Sequence, residues 1–457
     1  MKKSKLYLAI GLIALAPMTT QANSLLDIYE LALKNDAQLK ADKAGYEAGQ
    51  EFSSINRAAL LPQINAQYQY EDGDSDTTNN LKAGSVLKSN STSTGWAASL
   101  TQPLFDLSKW YNYKQGQKLS AQAEAQFGAD QQGLIVRVAT AYFNVLRSVD
   151  RLEATLAEEK ALSHQLEQTK QRFEVGLTAI TEVHEAQAAF DSATAATLEG
   201  RGSLSISYEA LEVLTGKPED VISPLADKFP VVNPTPSDRA EWVGFSLKNN
   251  YNLKAAKLRA EASEYTANAA QSGHVPTVSA SLKYSDIDGD GLDPSRGGAF
   301  DNSTKGNSVT VTASIPIFSG GGTSARARQA VSQELQAQEQ FNGTQRSVIQ
   351  NARTLHLSVE TDVARVEARK QAIVSNKSAL EATQAGYEVG TRNLVEVLLA
   401  QRNLYQARRD YSNALYDYVI DSIKLREVAG MLTPADVQEI DKWLQSNVSV
   451  SRSTYEK

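Results

Sequence analysis

The residues of this 457-residue chain that could do acid–base or nucleophilic chemistry are few, and their spacing does not suit it. The chain has no cysteine, so it offers no thiolate nucleophile and no cysteine metal site. It contains no HExxH motif, no GxSxG motif and no glycine-rich phosphate loop. We therefore expect no enzyme activity, no metal and no cofactor. The histidines stand apart, at His164, His184, His274 and His356.

One acidic segment matches the first half of an EF-hand calcium loop. It runs Asp-Ile-Asp-Gly-Asp-Gly over 286–291. The twelfth position of such a loop needs a bidentate glutamate, and here it is Gly297. Predicted strands, rather than helices, flank the segment. We therefore expect a solvated surface loop here.

Charged residues gather beside two similar turn segments. Glu-Val-Gly at 174–176 is followed by Glu182, and Glu-Val-Gly at 388–390 is followed by Arg392 and Glu396. Glycine in such a segment supports a tight reversal between two helices. Taken on residue type alone, Glu182 and Arg392 are solvated helix ends, and a pair between them is worth less than about 1 kcal/mol.

The two turns belong to a repeat that covers the chain. When the sequence is aligned with itself at an offset of 214 residues, similar segments coincide, and Gly216 aligns with Gly430. Each copy is far longer than a solenoid repeat of roughly 20–50 residues, so it must hold several long elements. We assign the first copy to 23–230 and the second to 231–430.

Each copy contains one very long predicted helix. The segments 108–175 and 323–389 lack proline, and each is long enough for roughly 100 Å of helix. Apolar residues recur in them every seven positions, which is typical of coiled-coil packing. In the second copy these are Val359, Val366, Ile373, Leu380 and Tyr387; in the first they are Val145, Leu152, Leu166 and Phe173, with Glu159 interrupting.

Shorter helices are predicted to run back from the turns at 175–178 and 389–392. They occupy 181–215 and 395–429, and glycine ends each of them. A further helix is expected at 238–272. Its counterpart is at about 25–59, and we expect this N-terminal helix to complete the path of the C-terminal return helix.

Four segments alternate between apolar and polar residues, as strands with one apolar face do. They form two predicted strand pairs, within 60–107 and 275–318, and the glycine-rich segments 71–93 and 285–307 are expected to be loops. Ten-residue segments of this kind are typical of outer-membrane barrels and of half-buried strands in soluble sheets. Four strands cannot close a barrel, because small barrels need about eight. Either the sheet is soluble or several chains pool their strands.

The N-terminus predicts export. A basic start, an apolar stretch at 6–16 and the small-residue site Thr20-Gln21-Ala22 indicate a signal peptide over 1–22. The apolar stretch is too short to span a bilayer. A formal net charge of −7 argues against a nucleic-acid partner.

The segments 165–187, QLEQTKQRFEVGLTAITEVHEAQ, and 386–405, GYEVGTRNLVEVLLAQRNLY, resemble the TolC-like outer-membrane factors of Gram-negative bacteria. The resemblance implies an α+β membrane protein that assembles as a homotrimer. Three chains would pool four strands each into a 12-stranded β-barrel in outer-membrane lipid. A coiled-coil α-helical barrel would continue it through the periplasm, with an equatorial region formed from 217–237 and 431–457.

In that family the helical barrel closes like an iris at its periplasmic tip. Carried over by position, the resemblance implies a bond from Tyr387 toward Gln165 and Glu182. It also implies that Arg392 pairs with Thr181 and Glu182. A few charge-assisted bonds of this kind can set the resting state of a gate that has little other packing.

The resemblance also places Glu396 in the lumen near the constriction. Three symmetric carboxylates would favour cations there. Family members carry a second aspartate one turn further on, but here that position is Leu399. We therefore expect one acidic ring, and the sequence does not predict how strongly cations block the channel. The turns resemble the docking site for periplasmic adaptor proteins, which join the channel to an inner-membrane pump. The residues are Val175, Gly176, Leu177, Thr178, Val389, Gly390 and Thr391.

Two functions from different classes remain. The first is an exit duct through the outer membrane and periplasm that serves tripartite efflux pumps and type I secretion. The alternative is a secreted, non-channel trimeric coiled coil or adhesin. The alternative accounts for the signal peptide and the heptads, but not for strand pairs with lipid-like faces or for the recurrence of both turn motifs.

Overall fold

The computed structural model describes residues 22–79, 85–226, 228–293, 297–445, 448 and 450–455. Apart from Ala22, the predicted signal peptide at 1–22 lies outside the described residues. Among those residues, no helix is both long and apolar enough to cross a membrane.

Helices make up most of the described chain, and two of them are very long. The predicted long helices are present as α3 and α7, with ends within one residue of the expected ones. The helices are α1 (Leu25–Asn35), α2 (Ala37–Ala58), α3 (Leu107–Glu174), α4 (Ile180–Thr215), α5 (Arg239–Asn249), α6 (Tyr251–Gln271), α7 (Gly322–Glu388), α8 (Leu394–Val428), α9 (Pro434–Asp441) and α10 (Arg452–Tyr455), with a 3₁₀ turn at Ser272–His274.

Four long strands form one antiparallel sheet in the order β1-β2-β4-β5. Two short strands, β3 and β6, pair separately near the middle of the molecule. The strands are β1 (Gln63–Asn79), β2 (Ser85–Phe105), β3 (Val221–Ile222), β4 (Thr277–Asp293), β5 (Gly298–Ser314) and β6 (Val450–Ser451).

The register of the large sheet places its apolar residues on one face. Ile64 lies opposite Leu100, Leu100 opposite Leu282, and Leu282 opposite Val309. Side chains alternate between the faces of a strand, so these four apolar residues share one face. Ile64 is 73% exposed and Leu282 is 50% exposed, so the described part of the chain leaves this face largely uncovered.

The strands continue far beyond their predicted ends, and the prediction of loops at 71–93 and 285–307 is largely wrong. β1 and β2 stay paired from Gln63 opposite Thr101 to Asn79 opposite Ser85. An antiparallel ladder needs only backbone groups, so it can run on through polar and glycine-rich sequence. The 286–291 segment therefore lies inside β4, and an extended strand cannot wrap around an ion as a calcium loop does.

The shorter helices stack end to end in pairs that differ from the prediction. The Asn35 side chain donates to the Thr215 carbonyl at 2.7 Å, which places the start of α2 at the end of α4. The Asn250 side chain donates to the Val428 carbonyl at 2.9 Å, which places the start of α6 at the end of α8. The N-terminal helix therefore completes the path of the first return helix, and the expectation that it completes the C-terminal one is wrong.

The predicted helix at 25–59 is broken at Asp36. The Asp36 carboxylate caps α2 by accepting from the Leu39 amide at 2.6 Å, and it pairs with Arg137 of α3 at 2.9 Å. Aspartate is a preferred N-cap because its side chain satisfies an amide that the helix leaves open. The break lets α1 turn onto α3 and α4.

The main hydrophobic core lies at the equator of the molecule, where α1, α3, α8 and α9 meet. Tyr142 and Phe143 of α3 are fully buried there. The Tyr142 hydroxyl donates to the Ser223 carbonyl at 2.6 Å. The predicted equatorial segments lie together at this level, because β3 of the first pairs with β6 of the second.

The orientation of the sheet can be tested with two neighbouring substitutions. Leu282→Arg places a charge in the middle of the apolar face, and Ser281→Arg places the same charge on the polar face. If the apolar face meets lipid, the first should cost about 2–4 kcal/mol per chain and the second little. We expect Leu282→Arg, but not Ser281→Arg, to lower the yield of folded trimer in phospholipid vesicles; equal yields would contradict the assignment of the faces.

Candidate functional site

The two long helices both end in tight turns, and these lie at the end of the molecule opposite the sheet. Gly176 has φ of 75° and Gly390 has φ of 78°, a left-handed conformation that favours glycine. The Leu177 amide donates to the Arg172 carbonyl, and the Thr391 amide donates to the Gly386 carbonyl, each at 2.8 Å. Together these turns form the tip of the molecule.

Tyr387 links the two hairpins at the tip. Its side chain is only 6% exposed, and its hydroxyl donates to a Glu182 carboxylate oxygen at 3.2 Å. The bond joins the last turn of α7 to the first turn of α4. Around the ring packs a small cluster separate from the equatorial core, made of Leu166, Ala186, Leu394 and Val397.

Gln165 lies one turn above this bond. It is buried, and its amide donates to the Thr169 hydroxyl at 3.5 Å. Thr169 in turn donates to the Gln165 carbonyl at 2.8 Å. The structure therefore brings Tyr387 and Glu182 together, as the resemblance implied, whereas Gln165 bonds to a residue of its own helix.

Within the protomer, Arg392 does not contact the partners that the resemblance implies. Its guanidinium pairs with Glu396 at 2.7 Å, one turn along the same helix, and does not reach Thr181 or Glu182 in the protomer. Gly386 permits this position, because a Cβ there would lie 2.7 Å from Cγ of Arg392. A partner four residues away on a helix is already close, and this favours the local pair.

Glu396 is held by three groups at the start of α8. Besides Arg392, the Asn393 side chain donates to its carboxylate at 3.1 Å, and the Glu396 amide donates back to Asn393 at 2.9 Å. The Glu396 side chain is 36% exposed, and Leu399 one turn away is 45% exposed. The carboxylate is therefore accessible, but its charge is partly balanced by its own chain.

Sequence reasoning missed Arg172. Its guanidinium lies over the Tyr387 ring, 4.9 Å from the ring centroid. A signal was present in the repeat: Arg172-Phe173 of the first copy corresponds to Gly386-Tyr387 of the second, within otherwise matching Glu-Val-Gly turns. The copies differ at both of these positions, and the arginine of the first copy contacts the tyrosine of the second.

Above the tip, ion pairs tie three helices together. Asp417 of α8 accepts from Arg147 of α3 at 2.6 Å and from Arg365 of α7 at 2.9 Å. Arg365 also pairs with Asp362 at 2.8 Å. Burial raises the pKa of the Asp362 carboxyl to about 6, although Arg365 opposes the shift. These charges fix the relative positions of α3, α7 and α8 well away from the turns.

The apolar side chains of the turns point into solvent. Val175 is 70% exposed, Leu177 is 68% exposed and Val389 is 74% exposed. They flank Gly176 and Gly390, which need their backbone conformation for the reversal. The tip thus presents an apolar surface beside the partly buried Tyr387–Glu182 bond.

The amphipathic sheet with its uncovered apolar face, continued by two long helical hairpins, defines a protomer of an outer-membrane channel. The chain belongs to the outer membrane efflux protein family, whose model matches residues 28–217 and 242–431. The two matches begin and end 214 residues apart, which is the offset of the internal repeat. The protein is thus located in the outer membrane and extends into the periplasm.

The chain is also similar in sequence to outer-membrane and secretion proteins, and similar in fold to a solved channel structure. The chain is 36% identical over 426 residues to outer membrane protein TolC of Vibrio cholerae, covering 93% of this chain and 94% of that protein. It is 28% identical over 427 residues to the alkaline protease secretion protein AprF of Pseudomonas aeruginosa, covering 91% and 86%. The Campylobacter jejuni CmeC outer membrane channel superposes with a TM-score of 0.75 at 17% identity, covering 97% and 98%.

The tip should respond to alkaline pH. Burial, and next the Glu182 charge, raise the pKa of Tyr387 above its ordinary 10.0. The hydroxyl therefore stays a donor at neutral pH, and its bond is fully present below pH 10 and is lost as pH rises through the raised pKa. We expect channel conductance to be flat from about pH 6 to 9 and to rise above pH 10.

Tyr387→Phe removes the titrating hydroxyl and serves as the control for the pH response. The alkaline rise should disappear in that variant. A rise of the same size in Tyr387→Phe would assign the response to another group.

Proposed function

We propose that three copies of the chain form an exit duct whose periplasmic tip is a gate, closed in the resting state by the Tyr387–Glu182 bond. The observation that carries the proposal is that this bond, from a buried tyrosine to a half-buried glutamate, joins the α7–α8 hairpin to the α3–α4 hairpin. Opening requires the hairpins to separate at the tip. Few other packed residues lie there, so one bond per chain has a large effect on the closed state.

The open sheet supports a homotrimer. Each chain supplies four strands, and three chains supply the 12 strands of a closed barrel. In that barrel the apolar face meets lipid and the polar face lines the lumen. A secreted adhesin, the alternative, gives the apolar face no role, and we do not favour it.

The partners are a periplasmic adaptor and, through it, an inner-membrane pump. Support comes from the exposed apolar residues of the turns, Val175, Leu177 and Val389, which suit a helical partner that docks end-on. The family is named for efflux and one relative for the secretion of a protease, so both efflux and protein secretion are consistent with this chain.

Glu396 is proposed to form one acidic ring in the lumen at the tip. Its pairing with Arg392 weakens the ring, because each carboxylate is partly balanced by a cation of its own chain. The remaining field favours cations moderately. Leu399, one turn on, adds no charge.

Tyr387→Phe tests the gate. The substitution keeps the ring and removes one bond to a carboxylate, worth about 1.5 kcal/mol at the low end of its class. The closed-to-open ratio should fall about tenfold per chain, so conductance in planar bilayers should rise while trimer stability is unchanged. The matched control is Tyr405→Phe on α8, which is distant from the tip bond. Conductance in Tyr387→Phe equal to that of the parent would contradict the proposed gate.

A pair of substitutions with opposite expected signs tests the acidic ring. Glu396→Gln keeps the shape and the Asn393 contact but removes the charge, so cation preference should fall. Arg392→Ser removes the compensating cation, so cation preference and block by divalent ions should rise. The readout is reversal potential under a salt gradient. Equal selectivity in both variants would mean that Glu396 does not line the constriction.

A further inference from the structure

We propose that Arg172 is a third residue that keeps the tip closed, a positioning residue that holds the Tyr387 ring from α3 while the Tyr387 hydroxyl binds Glu182 of α4. This inference rests on the proposed function, because it assumes that the Tyr387–Glu182 bond keeps the tip closed. It adds a second, separate attachment to the same tyrosine.

The contact engages the ring face rather than the hydroxyl. The Arg172 guanidinium carbon lies 4.9 Å from the ring centroid, within the range of a cation–π interaction. The hydroxyl is occupied separately by Glu182 at 3.2 Å. Tyr387 of α7 is thus held by a cation from α3 and a carboxylate from α4, and separating the hairpins must break both contacts.

Arg172 is only half-buried, but its Nε is fully buried and has no hydrogen-bond partner among the described residues. A buried donor without a partner is unfavourable for an ordinary surface arginine. Partial removal of water strengthens the attraction between a cation and an aromatic ring. The side chain is therefore placed to contact Tyr387 at the expense of its own hydration.

The internal repeat explains why the Arg172–Tyr387 contact joins the first copy of the repeat to the second. The first copy carries arginine at this position and the second carries Gly386, where a Cβ would lie 2.7 Å from Cγ of Arg392. An arginine in the second copy would therefore displace Arg392 from Glu396. One copy supplies the cation, the other supplies the ring and the space for Arg392.

The expected size of the effect follows from the exposure of the contact. Cation–π contacts at exposed to half-buried sites change an equilibrium by about two- to fivefold. If the three chains open together, their contributions multiply. Arg172→Gln should therefore raise bilayer conductance measurably while the trimer remains intact.

The conservative variant separates a positioning role from a packing role. Arg172→Lys keeps the charge but loses the planar group that stacks on a ring, so it should restore most, not all, of the closed state. Lys170→Gln is the matched control, because Lys170 pairs with Glu167 on its own helix at 3.3 Å. Conductance equal to the parent in Lys170→Gln and raised in Arg172→Gln supports the inference.

A double-mutant comparison gives the sharpest test. In a Tyr387→Phe background the ring is still present, so Arg172→Gln should raise conductance further. In a Tyr387→Leu background there is no ring, so Arg172→Gln should have no additional effect. Equal effects of Arg172→Gln in the two backgrounds would overturn the inference.

Failure of the inference is distinguishable from failure of the gate. If Tyr387→Phe raises conductance and Arg172→Gln does not, the bond to Glu182 closes the tip alone and Arg172 has no part in it. If neither changes conductance, the proposed gate fails as well. All variants are compared as intact trimers by light scattering, so that loss of assembly is not read as opening.

Discussion

The open sheet is the constraint on which the rest of the structure depends. Within the described residues, β1 and β5 each pair on one side only, and the apolar face of all four strands is uncovered. Unpaired backbone groups cannot be left in lipid, so the edges must meet other chains. Closure by rotation makes the assembly symmetric, and every residue at the tip is then present in each chain at the same height.

The helices carry this symmetry from the membrane to the tip. α2 stacks on α4 and α6 stacks on α8, so the interrupted helices run beside α3 and α7 as nearly continuous rods. Asp417 ties α3, α7 and α8 between the equator and the turns. Above that level the helices are fixed by packing and charge, while at the tip a few polar contacts remain, so movement is easiest there.

The sequence predicted the ends of the two long helices well, but not the ends of the strands or the partner of Arg392. Proline and glycine mark where α3 and α7 must begin and end, so those limits were within one residue. The strands ran past their predicted ends because ladder pairing is a backbone property that residue type does not reveal. The pairing of Arg392 with Glu396 depended on Gly386, whose missing side chain carries no pattern of its own.

The chain has no cysteine, which allows a direct test of closure. One cysteine replaces Gln67 on β1, and a second is moved along β5 through Thr304, Gly306, Ser308 and Thr310 in separate variants. Directly opposed strand positions are close enough for a disulfide. If three chains close one barrel, at least one variant, oxidised in the outer membrane, should give covalent species that stop at three chains. Covalent products that continue beyond three chains, or monomers in every variant, would contradict this closure.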